Sequence, residues 1–181
     1  MKKLIFLAII GLGIASCTTQ KSTTMNQLPS EWKHTTNIYE VNIRQYTPEG
    51  TFRAFEKEMP RLKEMGVKTL WFMPITPIAQ KNKKGPLGSQ YAAQDYTSIN
   101  PEFGTMEDFD TLLAEAKKRD IRIIMDLVVN HTSNQHRWFK EALADPNSKY
   151  RDYYYFRKGK EGKLPNNWMS TFQGPAWEKV N

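Results

Sequence analysis

The chain opens its regular pattern with alternating apolar and polar residues, followed by apolar residues at helical spacing. The alternation predicts a first strand with one polar face, whose apolar members are Tyr39, Val41 and Ile43. The helical spacing that follows predicts a helix over residues 52–65. Gly66 should end this helix, and Pro60 within it should kink it or split it into two short pieces.

The alternation of strand and helix then continues along the chain. Runs of β-branched, aromatic and aliphatic residues predict two further strands, over 67–73 and 121–127, the latter buried on both faces apart from its end.

Segment 74–104 is predicted to be a long functional loop, and Thr105 should cap a helix together with Asp108. The buried stripe of that helix is expected to be Met106, Phe109, Leu112, Leu113 and Ala116. A short helix with Trp138, Phe139, Ala142 and Leu143 should follow the third strand. This order predicts an α/β fold with a parallel sheet.

Length and charge narrow the class of protein. A complete barrel of eight strand–helix units needs roughly 200–250 residues, so 181 residues hold only part of one. The net charge of +7 comes from basic residues that alternate with acids, as in Glu56-Lys57-Glu58. Dispersed charge of this kind is typical of a solvated surface, and a nucleic-acid partner is not expected.

The N-terminus carries a targeting signal. Lys2 and Lys3 precede an apolar stretch over 4–14 that is too short for a permanent membrane span, so residues 1–16 are predicted to be a cleaved signal peptide. Small residues before Cys17 resemble the lipobox of bacterial lipoproteins, in which the cysteine is acylated; the alternative is an ordinary signal peptide with a chance cysteine. Residues 17–36 would then be a polar tether, and the protein would be lipid-anchored to a bacterial membrane in the cell envelope.

Polar residues cluster where the third strand ends. Asp126, Asn130 and His131 lie at and just after this end, which faces the ligand crevice in parallel α/β folds. Taken alone, the three residues leave two interpretations open: a catalytic role for Asp126, or a buried carboxylate bonded to a neighbouring loop.

Several segments, in order, resemble the α-amylase family of glycoside hydrolases. Residues 126–133, Asp-Leu-Val-Val-Asn-His-Thr-Ser, are similar to the first conserved motif of that family. Residues 91–96 and 101–105 resemble its segment after the second strand, and 150–177 resemble the domain inserted after the third strand of oligo-1,6-glucosidases. The resemblance implies the N-terminal part, about three βα units over 37–144, of a TIM (β/α)₈ barrel, followed by the start of the inserted domain over 145–181.

The resemblance also implies roles for individual residues. His131 would donate a hydrogen bond to the primary hydroxyl of the sugar at the cleavage point, and Tyr91 would stack on that sugar. Asp126 would brace the site by pairing with an arginine from a later strand. Asn130 binds calcium in some members, so calcium is possible but not supported, and no cofactor is required. The alternatives are a core aromatic for Tyr91, a satisfied loop histidine for His131 and a turn residue for Asn130.

The catalytic carboxylates are implied to lie elsewhere. In the family the nucleophilic Asp, the acid/base Glu and a further Asp follow the fourth, fifth and seventh strands, so all three are expected beyond residue 181. Hydrolysis by this chain alone is therefore not expected. The parent protein is expected to be a retaining hydrolase that cleaves α-glucosidic bonds in starch-derived glucans or maltooligosaccharides.

Two departures from the family pattern concern the substrate. Gly88 stands where many oligo-1,6-glucosidases carry a pocket-closing Asp, and Thr47-Pro48-Glu49-Gly50 is shorter than their calcium loop. Both favour an open, amylase-like cleft, whereas the inserted segment points toward α-1,6-glucosidases. The remaining alternatives are a transglycosidase or trehalose-forming enzyme on the same scaffold, and a non-catalytic glucan-binding lipoprotein.

Overall fold

The computed structural model of the protein describes residues 31–180, which fall into two compact units divided between Thr35 and Thr36. The first unit contributes the short helix α1 (Trp32–Thr35). The predicted signal peptide, Cys17 and most of the predicted tether lie outside the described residues. Of the helices that are described, none is both long and apolar enough to cross a membrane.

The second unit alternates strands and helices, as the sequence predicts. Its described elements are β1 (Ile38–Val41), α2 (Ile43–Tyr46), α3 (Phe52–Glu56), α4 (Met59–Glu64), β2 (Thr69–Phe72), α5 (Met106–Lys118), β3 (Arg122–Met125), α6 (Arg137–Ala144) and a 3-10 helix (Arg151–Tyr153). The strands form one parallel sheet in the order β1-β2-β3. Tyr39 pairs with Leu70, and Leu70 pairs with Ile123. The parallel sheet is confirmed, and the carboxyl ends of its strands meet at one edge.

The hydrophobic core lies between one face of the sheet and the helices. Leu70 and Phe72 of β2 point into it, and the ring of Phe72 meets that of Phe55 edge to face at 5.5 Å between centroids. Phe109 and Leu112 of α5 belong to the same buried cluster. Complete burial of a large apolar side chain stabilises a fold by about 1.5–3 kcal/mol, so this cluster holds the helices on the sheet.

The first strand is shorter than predicted. It ends at Val41, and Ile43 begins α2 instead of continuing the strand. Ile43 is nevertheless buried, because a turn of helix directs it into the same core that an extended chain would have reached. The alternation of apolar residues is compatible with both conformations over so few residues.

The helix after the first strand is split, as Pro60 predicts. It forms α3 and α4, and Pro60 occupies the first turn of α4, where its missing N–H group has no helical partner to lose. Gly66 follows α4 with φ of 83°, the left-handed conformation expected of a glycine that ends a helix.

The capping box of α5 is confirmed, and its buried stripe is confirmed in part. The Thr105 hydroxyl accepts from the Asp108 N–H at 3.2 Å, and the Asp108 carboxylate accepts from the Thr105 N–H at 2.9 Å. Phe109, Leu112 and Ala116 are buried, but Met106 is 48% exposed and Leu113 is also exposed. The prediction of five buried positions is therefore wrong at these two, which remain open to solvent.

The third strand is less buried than predicted. It covers Arg122–Met125, and Met125 is 51% exposed. Among residues 31–180, β3 pairs with β2 alone and is an edge strand, so its outer side has no cover. The prediction of a strand buried on both faces is wrong for the described structure.

Candidate functional site

The candidate site begins where β2 and β3 end. Trp71 of β2 pairs with Ile124 of β3, so Trp71 and Asp126, two residues beyond Ile124, face the same side of the sheet. The Asp126 N–H donates to the Phe72 carbonyl at 3.0 Å and extends the ladder past the strand. The indole N–H of Trp71 donates to Asp126 Oδ1 at 3.0 Å.

Tyr91 reaches this carboxylate from the loop after β2. Its hydroxyl donates to Asp126 Oδ2 at 2.9 Å, across 35 positions of sequence. This hydrogen bond is the main reason that the pKa of Tyr91 is raised, and burial and the charge of Asp126 act in the same direction. The phenol therefore stays a proton donor at neutral pH, while 37% of the Tyr91 side chain remains accessible to solvent.

His131 joins the same group of residues through the Tyr91 backbone. His131 Nε2 lies 2.9 Å from the Tyr91 carbonyl oxygen, and Nδ1 lies 3.3 Å from Asn130 Nδ2. A carbonyl oxygen only accepts, so Nε2 carries the hydrogen and Nδ1 accepts from the Asn130 amide. A sugar hydroxyl that accepts from His131 Nε2 must therefore displace the Tyr91 carbonyl.

Two neighbours fix the backbone on either side of Tyr91. Gln90 is buried, and its amide donates to Asn42 Oδ1 at 2.9 Å, which ties the loop to the end of β1. Further along, the Ser133 N–H donates to the Ala93 carbonyl at 2.9 Å. The loops after β1, β2 and β3 are thus joined around the site.

Asp95 stabilises the turn that follows Tyr91. Its carboxylate accepts from the Ser98 hydroxyl at 2.6 Å and from the Thr97 hydroxyl at 2.7 Å. These hydrogen bonds, that of Ser98 foremost, lower the pKa of Asp95. With its oxygens committed to the turn, Asp95 has a structural role here.

His136 lies apart from this group and caps α6. Its Nδ1 accepts from the Trp138 N–H at 3.2 Å, and its ring packs against Tyr96 and Trp138. The ring is buried, Nε2 has no hydrogen-bond partner among residues 31–180, and burial lowers the pKa of His136. A neutral histidine fits this environment.

The structure thus brings together Tyr91, Asp126 and His131, the three site residues that the sequence singles out. The roles assigned to them stay predictions. Sequence reasoning missed Trp71, Gln90 and Asn42, which hold the three in place. The signal for Trp71 was its position in a buried strand, where an indole N–H needs a partner.

Within residues 31–180, no three His, Cys, Asp or Glu side chains are grouped to hold a metal ion. The family resemblance links Asn130 to calcium in some members. Here the Asn130 amide is hydrogen-bonded to His131.

Comparison with known proteins places this arrangement in a family. Residues 19–181 match the catalytic domain of alpha amylase, so the chain belongs to the α-amylase family of glycoside hydrolases. It is 38% identical to the oligo-1,6-glucosidase of Bacillus cereus over 156 residues, which are 83% of this chain and 27% of that enzyme. It is 45% identical to the trehalose-6-phosphate hydrolase of Bacillus subtilis over 130 residues, which are 71% of this chain and 22% of that enzyme.

Solved structures agree with this membership. A variant of the trehalulose synthase MutB in complex with its substrate sucrose matches with a TM-score of 0.74 and 38% identity, over 84% of this chain and 27% of that one. The isomaltulose synthase of Klebsiella sp. LX3 matches with a TM-score of 0.72 and 38% identity, over 83% and 27%. The three parallel strands are therefore the N-terminal part of a TIM barrel, and the chain spans about a quarter of the length of the relatives it matches.

Proposed function

We propose that an enzyme containing this chain hydrolyses α-glucosidic bonds in starch-derived glucans with retention of configuration. In this proposal Tyr91 and His131 bind the sugar at the cleavage point, and Asp126 supports them. The observation that carries it is the hydrogen-bonded group at the carboxyl edge of the sheet. In this group the Tyr91 hydroxyl donates to Asp126 at 2.9 Å, and the Tyr91 carbonyl oxygen lies 2.9 Å from His131 Nε2. Active sites of TIM barrels form at this edge.

The chemistry of the two binding residues suits a pyranose. The accessible Tyr91 ring offers an apolar face to the C–H face of a sugar. His131 carries a hydrogen on Nε2 that a hydroxyl oxygen can accept once the Tyr91 carbonyl is displaced. Together they provide one stacking contact and one directional contact to the same sugar ring.

Asp126 is assigned a supporting role because both of its oxygens are occupied. Oδ1 accepts from Trp71 and Oδ2 from Tyr91. A retaining mechanism needs two other carboxylates about 5–5.5 Å apart, one as nucleophile and one as acid/base. The family resemblance assigns them to later strands, so the proposal concerns the whole enzyme and not this chain alone.

Cleavage of α-1,4 bonds, as in α-amylases, is favoured by two local features. Gly88 has φ of 68°, and a Cβ atom there would lie 3.1 Å from Ile78 Cδ1, so an acidic side chain in place of Gly88 would be strained and crowded. The Thr47–Gly50 turn is closed by hydrogen bonds from the Gly50 N–H to the Thr47 carbonyl and hydroxyl, each 3.1 Å long. An open cleft, which suits cleavage within a chain of α-1,4 bonds, is therefore part of this proposal.

Cleavage of α-1,6 bonds is the second candidate, and it is supported by the relatives. They include oligo-1,6-glucosidases and a glucan 1,6-alpha-glucosidase of Streptococcus dysgalactiae, to which the chain is 38% identical over 157 residues. The matches also include trehalose-6-phosphate hydrolases, a trehalulose synthase and an isomaltulose synthase. A reaction on other disaccharides, including transglycosylation, is therefore a further alternative.

The test is an assay of the purified enzyme on maltotetraose and on isomaltotriose, with the anomer of the released sugar followed by proton NMR. Retention predicts that the α-anomer is released first from at least one substrate. Release of the β-anomer would contradict the retaining mechanism. Binding of both sugars without hydrolysis would instead favour the glucan-binding lipoprotein.

A matched pair of variants tests the sugar-binding residues within that assay. Tyr91→Ala should lower kcat/KM by about 10²-fold, because a sugar that loses its stacking face is misplaced relative to the catalytic groups. Tyr155→Ala removes an equally large but peripheral side chain that is 83% exposed, and it should leave kcat/KM near the wild-type value.

A further inference from the structure

We propose that Trp71 is a positioning residue of the reaction, which acts on substrate binding and turnover through Asp126 and Tyr91. The proposal rests on the function proposed above and deepens it. Trp71 does not touch the sugar in this account. Its indole N–H holds one oxygen of Asp126, so that the other oxygen holds the hydroxyl of the stacking residue Tyr91.

The position of Trp71 in the sheet makes it a rigid anchor. It lies in β2 between Glu40 of β1 and Ile124 of β3, with which it is paired in register, and it is partly buried. An indole N–H can only donate, and its plane fixes the direction in which it does so. The carboxylate of Asp126 follows the end of β3 and would otherwise be free to rotate about its terminal torsion, which is broad for aspartate.

The two hydrogen bonds to Asp126 act in series. Both have an ionised acceptor, which makes them stronger and more directional than bonds between neutral groups. With Oδ1 held at 3.0 Å by Trp71, Oδ2 has one orientation in which it accepts from Tyr91 at 2.9 Å. Loss of the indole N–H leaves the Tyr91 ring at the site, but the orientation of this ring relative to the bound sugar is no longer fixed.

A double-mutant cycle on kcat/KM for maltotetraose tests this series. Trp71→Phe keeps an aromatic ring and removes the donor, and Tyr91→Phe keeps the stacking ring and removes the hydroxyl. Each should lower kcat/KM by about 10-fold, because each breaks one of the two charge-assisted hydrogen bonds that connect Trp71 to Tyr91 through Asp126. The double variant should then lose no more than the larger single loss, because the second change has nothing left to release. Losses that multiply to about 10²-fold would overturn the proposal and leave Trp71 with a structural role.

Trp177 provides the matched control. Its indole N–H also donates to a side-chain oxygen, Asn166 Oδ1, at 2.9 Å. Trp177→Phe breaks the same kind of bond away from Asp126, so its effect should simply multiply with that of Tyr91→Phe. Coupling to Tyr91→Phe is expected for Trp71→Phe and not for Trp177→Phe, and equal behaviour of the two tryptophans would contradict the proposal.

The test also covers a variant that does not fold and an enzyme that binds the sugar without turnover. If Trp71→Phe does not fold, the cycle is run with benzothienylalanine incorporated at position 71, which has the shape of tryptophan with sulfur in place of N–H. The same cycle is also read on the dissociation constant of maltotriose, which needs no turnover. If the effects of Trp71→Phe and Tyr91→Phe on the dissociation constant are coupled but no hydrolysis occurs, the proposed function is refuted and the role of Trp71 in substrate binding is supported. If hydrolysis occurs but the two effects are independent, the proposed function is supported and the role of Trp71 is refuted. Absence of both binding and hydrolysis would refute both proposals.

Discussion

The hydroxyl of Tyr96 lies 2.6 Å from the carbonyl oxygen of Val128 and 2.7 Å from that of His131. The single hydrogen of this hydroxyl is shared between the two carbonyl oxygens, so one side chain from the loop after β2 contacts both ends of segment 128–131, which brings His131 to the site. Its ring also packs on His136 and Trp138 at the start of α6. Tyr96 thus connects the segment that carries His131 to the helix that follows it.

Tyr96→Phe should therefore weaken both stability and turnover. The lost hydrogen bond is expected to lower the free energy of unfolding by about 1 kcal/mol. Small displacements of His131 should also lower kcat/KM, by up to about 10²-fold. Thermal melts and maltotetraose kinetics on the same preparation measure the two effects. Tyr155→Phe, which removes the hydroxyl of an exposed tyrosine, is the control, and a wild-type kcat/KM in Tyr96→Phe would contradict the role given to this contact.

His131→Ala should impair the reaction with little change in stability, because His131 is exposed and its ring is not part of the core. Removal of a donor that acts mainly in the transition state lowers kcat/KM by roughly 10²–10³-fold, which corresponds to about 2.7–4 kcal/mol. The measurement is kcat/KM for maltotetraose, with melting temperatures taken in parallel. His34→Ala alters an exposed histidine of α1 and should behave as wild type. Wild-type kinetics in His131→Ala would show that the sugar does not contact His131.

The parallel sheet could be predicted because each strand has its own local signal. β-Branched and aromatic runs mark β2 and β3, and Thr105 with Asp108 marks the start of α5 through a hydrogen-bonded box that involves only neighbouring residues. The failures at Leu113 and Met125 have a different cause. Their exposure depends on which elements cover them, and that is decided by residues far away in the sequence.

The site was predictable to a similar extent. Asp126 and His131 were identified by their position after a strand and by the family motif that they form, and Tyr91 by a second motif upstream. Hydrogen-bond partners such as Trp71 for Asp126 were not predictable. They depend on the register of β2 against β3, and a shift of one residue would turn Trp71 to the opposite face of the sheet.

The N-terminal signal predicts that the enzyme is anchored by a lipid on Cys17, and we propose this mode of attachment for the protein. The basis is the basic pair Lys2-Lys3, the short apolar stretch and the small residues before Cys17. Cells that express the wild type and are grown with a radioactive fatty acid should yield a labelled protein, and cells that express Cys17→Ser should not. Equal labelling of the two proteins would disprove lipidation at Cys17.

His136 should make the stability of the enzyme depend on pH. Burial lowers its folded-state pKa below the ordinary value of 6.5; nearby Asp95 opposes this shift and Arg137 reinforces it. The unfolded chain therefore takes up a proton at His136 at a higher pH than the folded protein does. The resulting stability is fully present above about pH 6.5 and is lost as the pH falls toward the folded-state pKa.

His136→Asn keeps an acceptor at the start of α6, because asparagine is a favourable N-cap, but it cannot titrate in this range. The melting temperature of the wild type minus that of His136→Asn should consequently be larger at about pH 7.5 than at about pH 5.5. Because His136 lies outside the group formed by Tyr91, Asp126 and His131, kcat/KM of the variant should stay near the wild-type value below its melting temperature. A difference in melting temperature that is independent of pH would mean that the folded-state pKa of His136 is not lowered, and one that grows on acidification would mean that Asp95 raises this pKa more than burial lowers it.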